Sequence, residues 1–138
     1  DTLKQIINLD HLYIPFPWPE QSWCDISSDH HCLYLMHSKQ SLLKGFALFS
    51  ISPFDDVAHL LKILILPEYR GSGRALRFWR KLEEKLVKKQ MKTVYLEVES
   101  SNTIAISFYR KCGFETLREN KSYYSNGENA LVMLLGLV

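Results

Sequence analysis

Residues 63–76, ILILPEYRGSGRAL, set an apolar run, a basic glycine turn and the start of an amphipathic run directly one after another. That order builds an anion site. Gly71 and Gly73 allow a close backbone approach and a positive φ. The amides of a helix's first turn lack intrahelical acceptors and carry the positive end of the helix dipole. Arg70, Arg74 and Arg77 surround the same turn, so the expected ligand is a phosphate or a pyrophosphate.

The surrounding elements must hold this turn in place. Leu3, Ile6, Ile7 and Leu9 have loose helical spacing, which predicts a short helix ending before Pro15. PFPWPE breaks regular structure, and Pro19 suits the first turn of a second short helix running to about Ile26. HCLYLMHS, LLKGFALFSIS and VAHLLKILIL read as three strands joined by turns at SKQS and SPFDD. After the glycine turn, Ala75, Trp79, Leu82 and Leu86 form one helical stripe while Arg80, Lys81, Glu84 and Lys88 face solvent. Glu84 and Lys88 are spaced for an i,i+4 pair. KTVYLEVES is a strand, and SNTIAISFYRKCGF reads as a helix with Asn102 as N-cap and Gly113 as its left-handed stop. Phe114–Glu119 and ALVMLLGL complete a largely antiparallel sheet. The expected fold class is α+β.

Composition narrows the function. The 138 residues predict one domain spanning 1–138. Seventeen Lys and Arg against fifteen Asp and Glu give a net charge of +2, too balanced to point to nucleic acid or an anionic membrane as partner. No apolar run is long enough to span a membrane and no signal segment is evident, so a cytoplasmic location is expected. Cys24, Cys32 and Cys112 are odd in number and irregularly spaced, which argues against a disulfide framework. Cys24, His30, His31, Cys32 and His37 show neither C-x-x-C nor H-x-x-x-H spacing, so no metal is expected.

Two familiar phosphate loops fail. A Walker loop needs a Lys and a hydroxyl that are missing here, and a dinucleotide loop needs a third glycine where Leu76 stands. The pattern R-x-x-G-x-A, formed by Arg70, Gly73 and Ala75, resembles the acetyl-CoA pyrophosphate loop of the GNAT acetyltransferase superfamily. Downstream, LEVESSNTIAISFYRKCGF resembles the bacterial ribosomal-protein alanine N-acetyltransferases. So do Phe16-Pro17-Trp18 and the tail SYYSNGENALVM. The resemblance runs from about Leu3 to Leu137. It implies a three-layer fold with helices on both faces and splayed central strands, using acetyl-CoA as co-substrate. It implies that Ile63, Leu64, Ile65, Arg70, Gly71, Ser72, Gly73, Arg74, Ala75, Leu76 and Asn102 hold that co-substrate. The peptide would be received by Trp18, Tyr123 and Tyr124. The family carries a further strand before its first helix, and too few residues precede Phe16 for both, so that strand is expected to be missing or truncated.

Acetyl transfer to an amine needs a neutral amine, a stabilised oxyanion and a proton for the departing thiolate. An α-amine, with a pKa of about 7.7–8.0 against about 10.4 for lysine, needs only modest help. Glu97 is the candidate base, with a pKa expected to rise on burial. Glu99, on the same face, competes with it. Tyr109 is the candidate acid, and Asn102, two helical turns earlier, shares its face and can cap the helix or meet the pantetheine arm. No cysteine is placed as an acetyl carrier. The expected reaction is direct attack by a protein N-terminal α-amine in a ternary complex, with a small-subunit ribosomal protein as target. A lysine or small-amine acceptor, or a non-catalytic acyl-CoA module, is the alternative. Leu66 stands where the family commonly has an acidic residue, and Asn129 replaces an aspartate.

Overall fold

A computed structural model describes residues 1–52 and 54–137, and among the described residues the chain forms six strands and four α-helices. Helix α1 (Thr2–Tyr13) is capped by the Asp1 carboxylate and ends as the chain extends toward Pro15. Helix α2 (Glu20–Cys24) starts behind Pro19. The three expected strands follow as β1 (His31–His37), β2 (Leu43–Ser50) and β3 (Val57–Ile65). Pro53, in the second predicted turn, lies outside the described residues. A 3-10 turn at Pro67–Tyr69 leads into α3 (Arg74–Lys88). Strand β4 (Thr93–Glu99), helix α4 (Thr103–Cys112), β5 (Glu115–Asn120) and β6 (Ala130–Gly136) complete the fold.

The sheet order is β1-β2-β3-β4-β6-β5, and among the described residues only β3 and β4 pair in parallel. Helices cover both faces. Phe78, Trp79, Leu82 and Leu86 of α3 and Ile106 and Cys112 of α4 pack on Ala47, Phe49, Leu60, Val94 and Leu96. On the other face Ile6 of α1 and Trp23 of α2 pack on Phe46, Leu48 and Leu64. Phe78 joins the predicted α3 stripe as a further buried member. Glu84 and Lys88 form no ion pair. Instead Arg80 meets Glu83 at 2.7 Å and also donates to the Cys112 carbonyl, which ties α3 to the end of α4. An exposed i,i+4 pair gains too little to hold two long side chains together.

Strand β3 contains an irregularity that decides the site. Leu48 opposes Lys62 while Phe49 opposes Leu60, so Leu61 is an extra residue. Strict alternation would send His59 and Lys62 to opposite faces. The bulge brings both to the α1/α2 face. There Lys62 is sealed: its Nζ donates to Asp10 Oδ1 at 2.7 Å and to the Phe16 carbonyl at 3.1 Å. Trp23 Nε1 and the Trp18 amide each donate to Asp10 Oδ2 at 2.8 Å. Asp10 is fully buried, so α1, the FPW turn and α2 are pinned to β3 by one polar knot.

Candidate active site

The glycine turn has the expected geometry. Gly71, Ser72 and Gly73 have φ of 84°, 52° and 74°, a left-handed run in which Gly73 becomes the N-cap of α3. No side chain among the described residues caps that end. Among the described residues the amides of Ser72, Gly73, Ala75 and Leu76 find no protein acceptor, as an incoming anion requires. The arginines are less uniform than their charges imply. Arg70 Nε donates to the Ile65 carbonyl at 2.8 Å, bracing the end of β3. Arg74 lies 4.8 Å from the Tyr69 ring centre, and Arg77 donates to the Ser72 carbonyl at 3.1 Å.

Strands β3 and β4 pair only at Val57↔Thr93, Ala58↔Val94 and His59↔Tyr95. Beyond that they splay, and residues 60–65 face the gap without a strand partner on that side. Leu64 and Ile65 bury their side chains in opposite faces of the sheet and Ile63 packs against the α3/α4 side, so this stretch can offer only backbone to a ligand.

Glu97 stands at the opening of the splay on the α1/α2 face. Its Oε2 lies 2.6 Å from His59 Nε2, and Tyr123 donates to its Oε1 at 3.3 Å. The His59 and Glu97 side chains are 23% and 17% exposed. Burial pushes the Glu97 carboxyl up, as its strand position predicts. The hydrogen bond and charge of His59, with Tyr123 donating, outweigh that, so the net direction is down. This corrects the expected rise. Glu97 is thus an ionised, oriented carboxylate rather than a carboxyl raised toward neutrality. Glu99 shares the face but has no side-chain partner among the described residues.

Aromatic rings extend the cluster. Tyr123 and Tyr124 meet edge to face at 5.0 Å, and Tyr124 stacks on Phe16 at 5.1 Å and 10°. Phe16, not Trp18, is therefore the contact from the FPW turn. Trp18 packs on Trp23 at 5.2 Å and lies over Lys62, inside the polar knot. Burial, then the nearby Glu97, pushes Tyr124 up to about 12.

On α4, the Asn102 side chain accepts from the Ala105 amide at 3.1 Å, so its capping role is realised. Tyr109 packs between Phe108 and Phe114, each at 5.7 Å. Burial first, then nearby Cys112 and Tyr124, raises its pKa well above the ordinary phenol value and keeps the group protonated. Its hydroxyl finds no partner among the described residues and is not sealed off. Cys112 is buried, its thiol pushed up to about 12 by that burial, and is inert as an acyl carrier. A groove of about 840 Å³ lies elsewhere, between β1 and α3, and touches the start of α3 through Arg74 and Arg77.

The family model for the Acetyltransferase (GNAT) family matches residues 2–114. The chain belongs to the GNAT acetyltransferase family. It is 31% identical over 134 residues to a Bacillus subtilis (strain 168) protein described as a candidate ribosomal protein bS18-alanine N-acetyltransferase, covering 91% of this chain and 87% of that protein. It is 28% identical over 149 residues to an N-alpha-acetyltransferase of Saccharolobus solfataricus, covering 96% and 86%. The crystal structure of the ribosomal-protein-S18-alanine N-acetyltransferase from Escherichia coli superposes with a TM-score of 0.85 at 25% identity, covering 98% of this chain and 87% of that one. This GNAT chain is therefore an N-acetyltransferase of a family that uses acetyl-CoA. Its three-layer fold and splayed strands match the expectation. Among the described residues no helix is long and apolar enough to cross a membrane.

Sequence reasoning missed His59, Tyr95, Lys62 and Asp10. Asp10 carries the one readable signal, since a carboxylate on the apolar side of a helix demands a partner. His59 carries none, because the bulge that aims it leaves no mark in the sequence.

Proposed function

We propose that this GNAT enzyme acetylates a protein N-terminal α-amine, with a small-subunit ribosomal protein as target, by direct attack in a ternary complex. The observation that carries the reading is the ionised Glu97 held beside the opening between β3 and β4, walled by Tyr123, Tyr124 and Phe16. An α-amine of pKa about 7.7–8.0 is largely deprotonatable by such a weak base, whereas a lysine amine of about 10.4 is not. The names of the bacterial and archaeal relatives support the same acceptor class.

In this reading acetyl-CoA supplies an activated thioester. The amides of Ser72, Gly73, Ala75 and Leu76, with the α3 dipole and the charges of Arg70, Arg74 and Arg77, bind its pyrophosphate. Gly71 keeps the turn open, the unpaired backbone at Ile63, Leu64 and Ile65 meets the amides of its arm, and Asn102 steadies α4 beside it. Glu97 takes the ammonium proton through a water, and Tyr109, kept protonated by burial, donates to the departing thiolate. Tyr123 and Tyr124 line the acceptor path, while Trp18 supports that wall from behind.

Purified enzyme with labelled acetyl-CoA, offered ribosomal-protein N-terminal peptides, their N-terminally blocked forms, internal-lysine peptides and a polyamine, tests this. Label on free N-termini alone is the expected result. Transfer only to lysine or polyamine would overturn the acceptor, and acetyl-CoA binding without any transfer would favour a non-catalytic module.

A further inference from the structure

The histidine at the fork of the sheet has no place in the mechanism above, yet its geometry is the most constrained in the site. His59 is the last β3 residue paired with β4, so it sits where the strands begin to part. Its ring stacks on Tyr95 at 4.1 Å and 10°, which fixes the plane of the imidazole. The bulge at Leu61 fixes the face on which it stands. Nε2 then meets Glu97 Oε2 at 2.6 Å, while Tyr123 holds the other oxygen. A carboxylate with a donor on each oxygen cannot rotate freely, and one of those donors is an imidazole.

We propose that His59 is the positioning residue for the Glu97 base, donating from Nε2 to Oε2 and switching the strength of that base with its own protonation. The proposal rests on Glu97 being the proton acceptor. As the neutral Nε2–H tautomer, His59 orients Glu97 and weakens it as a base only through the hydrogen bond. As imidazolium, it adds a full positive charge at the same distance, and the carboxylate becomes a poorer acceptor for the ammonium proton. The other titratable and charged groups around the pair are Tyr95 and Glu99 on β4, Tyr123 and Tyr124 before β6, and Lys62 along β3. The tyrosines that shift are raised and stay neutral through this pH range, so none of them reproduces the switch.

The test is the pH profile of kcat/KM for an N-terminal peptide in wild type, His59→Gln and His59→Ala, with thermal stability and the acetyl-CoA KM measured alongside. Gln can donate to Oε2 but cannot titrate. Both profiles are expected to fall as the substrate amine gains its proton, and wild type is expected to fall further in acid than His59→Gln because it alone carries an imidazole against Oε2. His59→Gln is expected to recover most of the rate that His59→Ala loses, roughly 10- to 100-fold as for other supporting groups behind a reactive ligand. Superimposable pH profiles for wild type and His59→Gln overturn the proposal, as does an Ala variant with unchanged kcat. Glu97→Gln in the same assay separates the two readings. If it leaves kcat unchanged, the base assignment fails. If it lowers kcat while both His59 variants behave as wild type, only the role of His59 fails.

Discussion

Strand β3 presents two basic side chains on one face, on either side of the bulged Leu61, and each meets a carboxylate. Lys62 and Asp10 are 4% and 0% exposed, with every Asp10 oxygen engaged and the Lys62 ammonium shared with the Phe16 carbonyl. His59 and Glu97 make a bond of similar length but stay partly open, beside strands that have stopped pairing. Burial lowers the Lys62 pKa more than Asp10 raises it, so desolvation dominates the closed pair. In the open pair the partner's influence overcomes desolvation and Glu97 ends lower than an ordinary carboxylate. The difference teaches what each is for. A sealed, fully bonded pair specifies where α1, the FPW turn and α2 sit, and it has no route for a proton. A half-open pair keeps a charged oxygen within reach of a substrate.

Breaking the closed pair has the largest expected effect. Asp10→Ala leaves a buried ammonium unpaired and is predicted to destabilise the fold by about 3–5 kcal/mol in urea denaturation, with most of the loss recovered when Lys62→Met is added. A loss of turnover at unchanged stability would erase the contrast with the open pair. Tyr109→Phe removes the proposed thiolate donor, and its kcat is predicted to fall on the order of 10²-fold with the acetyl-CoA KM held. Equal losses in both would make Tyr109 a packing residue. Phe16→Ala removes the stacked contact with Tyr124, worth about 0.5–1.5 kcal/mol, and is predicted to raise the peptide KM several-fold with little change in kcat.

The smallest effect sharpens the comparison through pH. Because the folded Glu97 pKa is depressed, its contribution to stability is present above the ordinary carboxylate value of 4.5 and is lost as pH falls through the folded value. The stability gap between wild type and Glu97→Gln should therefore shrink in acid. A gap that widens in acid would mean that burial, not His59, dominates Glu97.

Legibility followed locality. Turns, caps and helical stripes are written in neighbouring residues, so α3, the Asn102 cap, the Gly113 stop and the glycine turn could be read directly. Glu97 was legible as a position through the motif around it, but not in its ionisation, because His59 lies 38 residues away in the chain. That Phe16 stacks on Tyr124 while Trp18 packs on Trp23 was illegible for a similar reason. Trp18 is drawn to Lys62 by a buried carboxylate on α1, and nothing within the FPW triplet announces it. The bulge at Leu61 is the common cause, since one extra residue in β3 turns a periodic apolar strand into the carrier of both pairs.

The most direct test of this division of labour is Glu97→Gln, assayed with acetyl-CoA and a free N-terminal peptide while its melting temperature is followed. The prediction is a kcat lower by on the order of 10²-fold or more, with the acetyl-CoA KM near that of wild type and a melting temperature lowered only by the small contribution of the Glu97 ion pair. An unchanged kcat, or a loss that tracks a falling melting temperature, would contradict it.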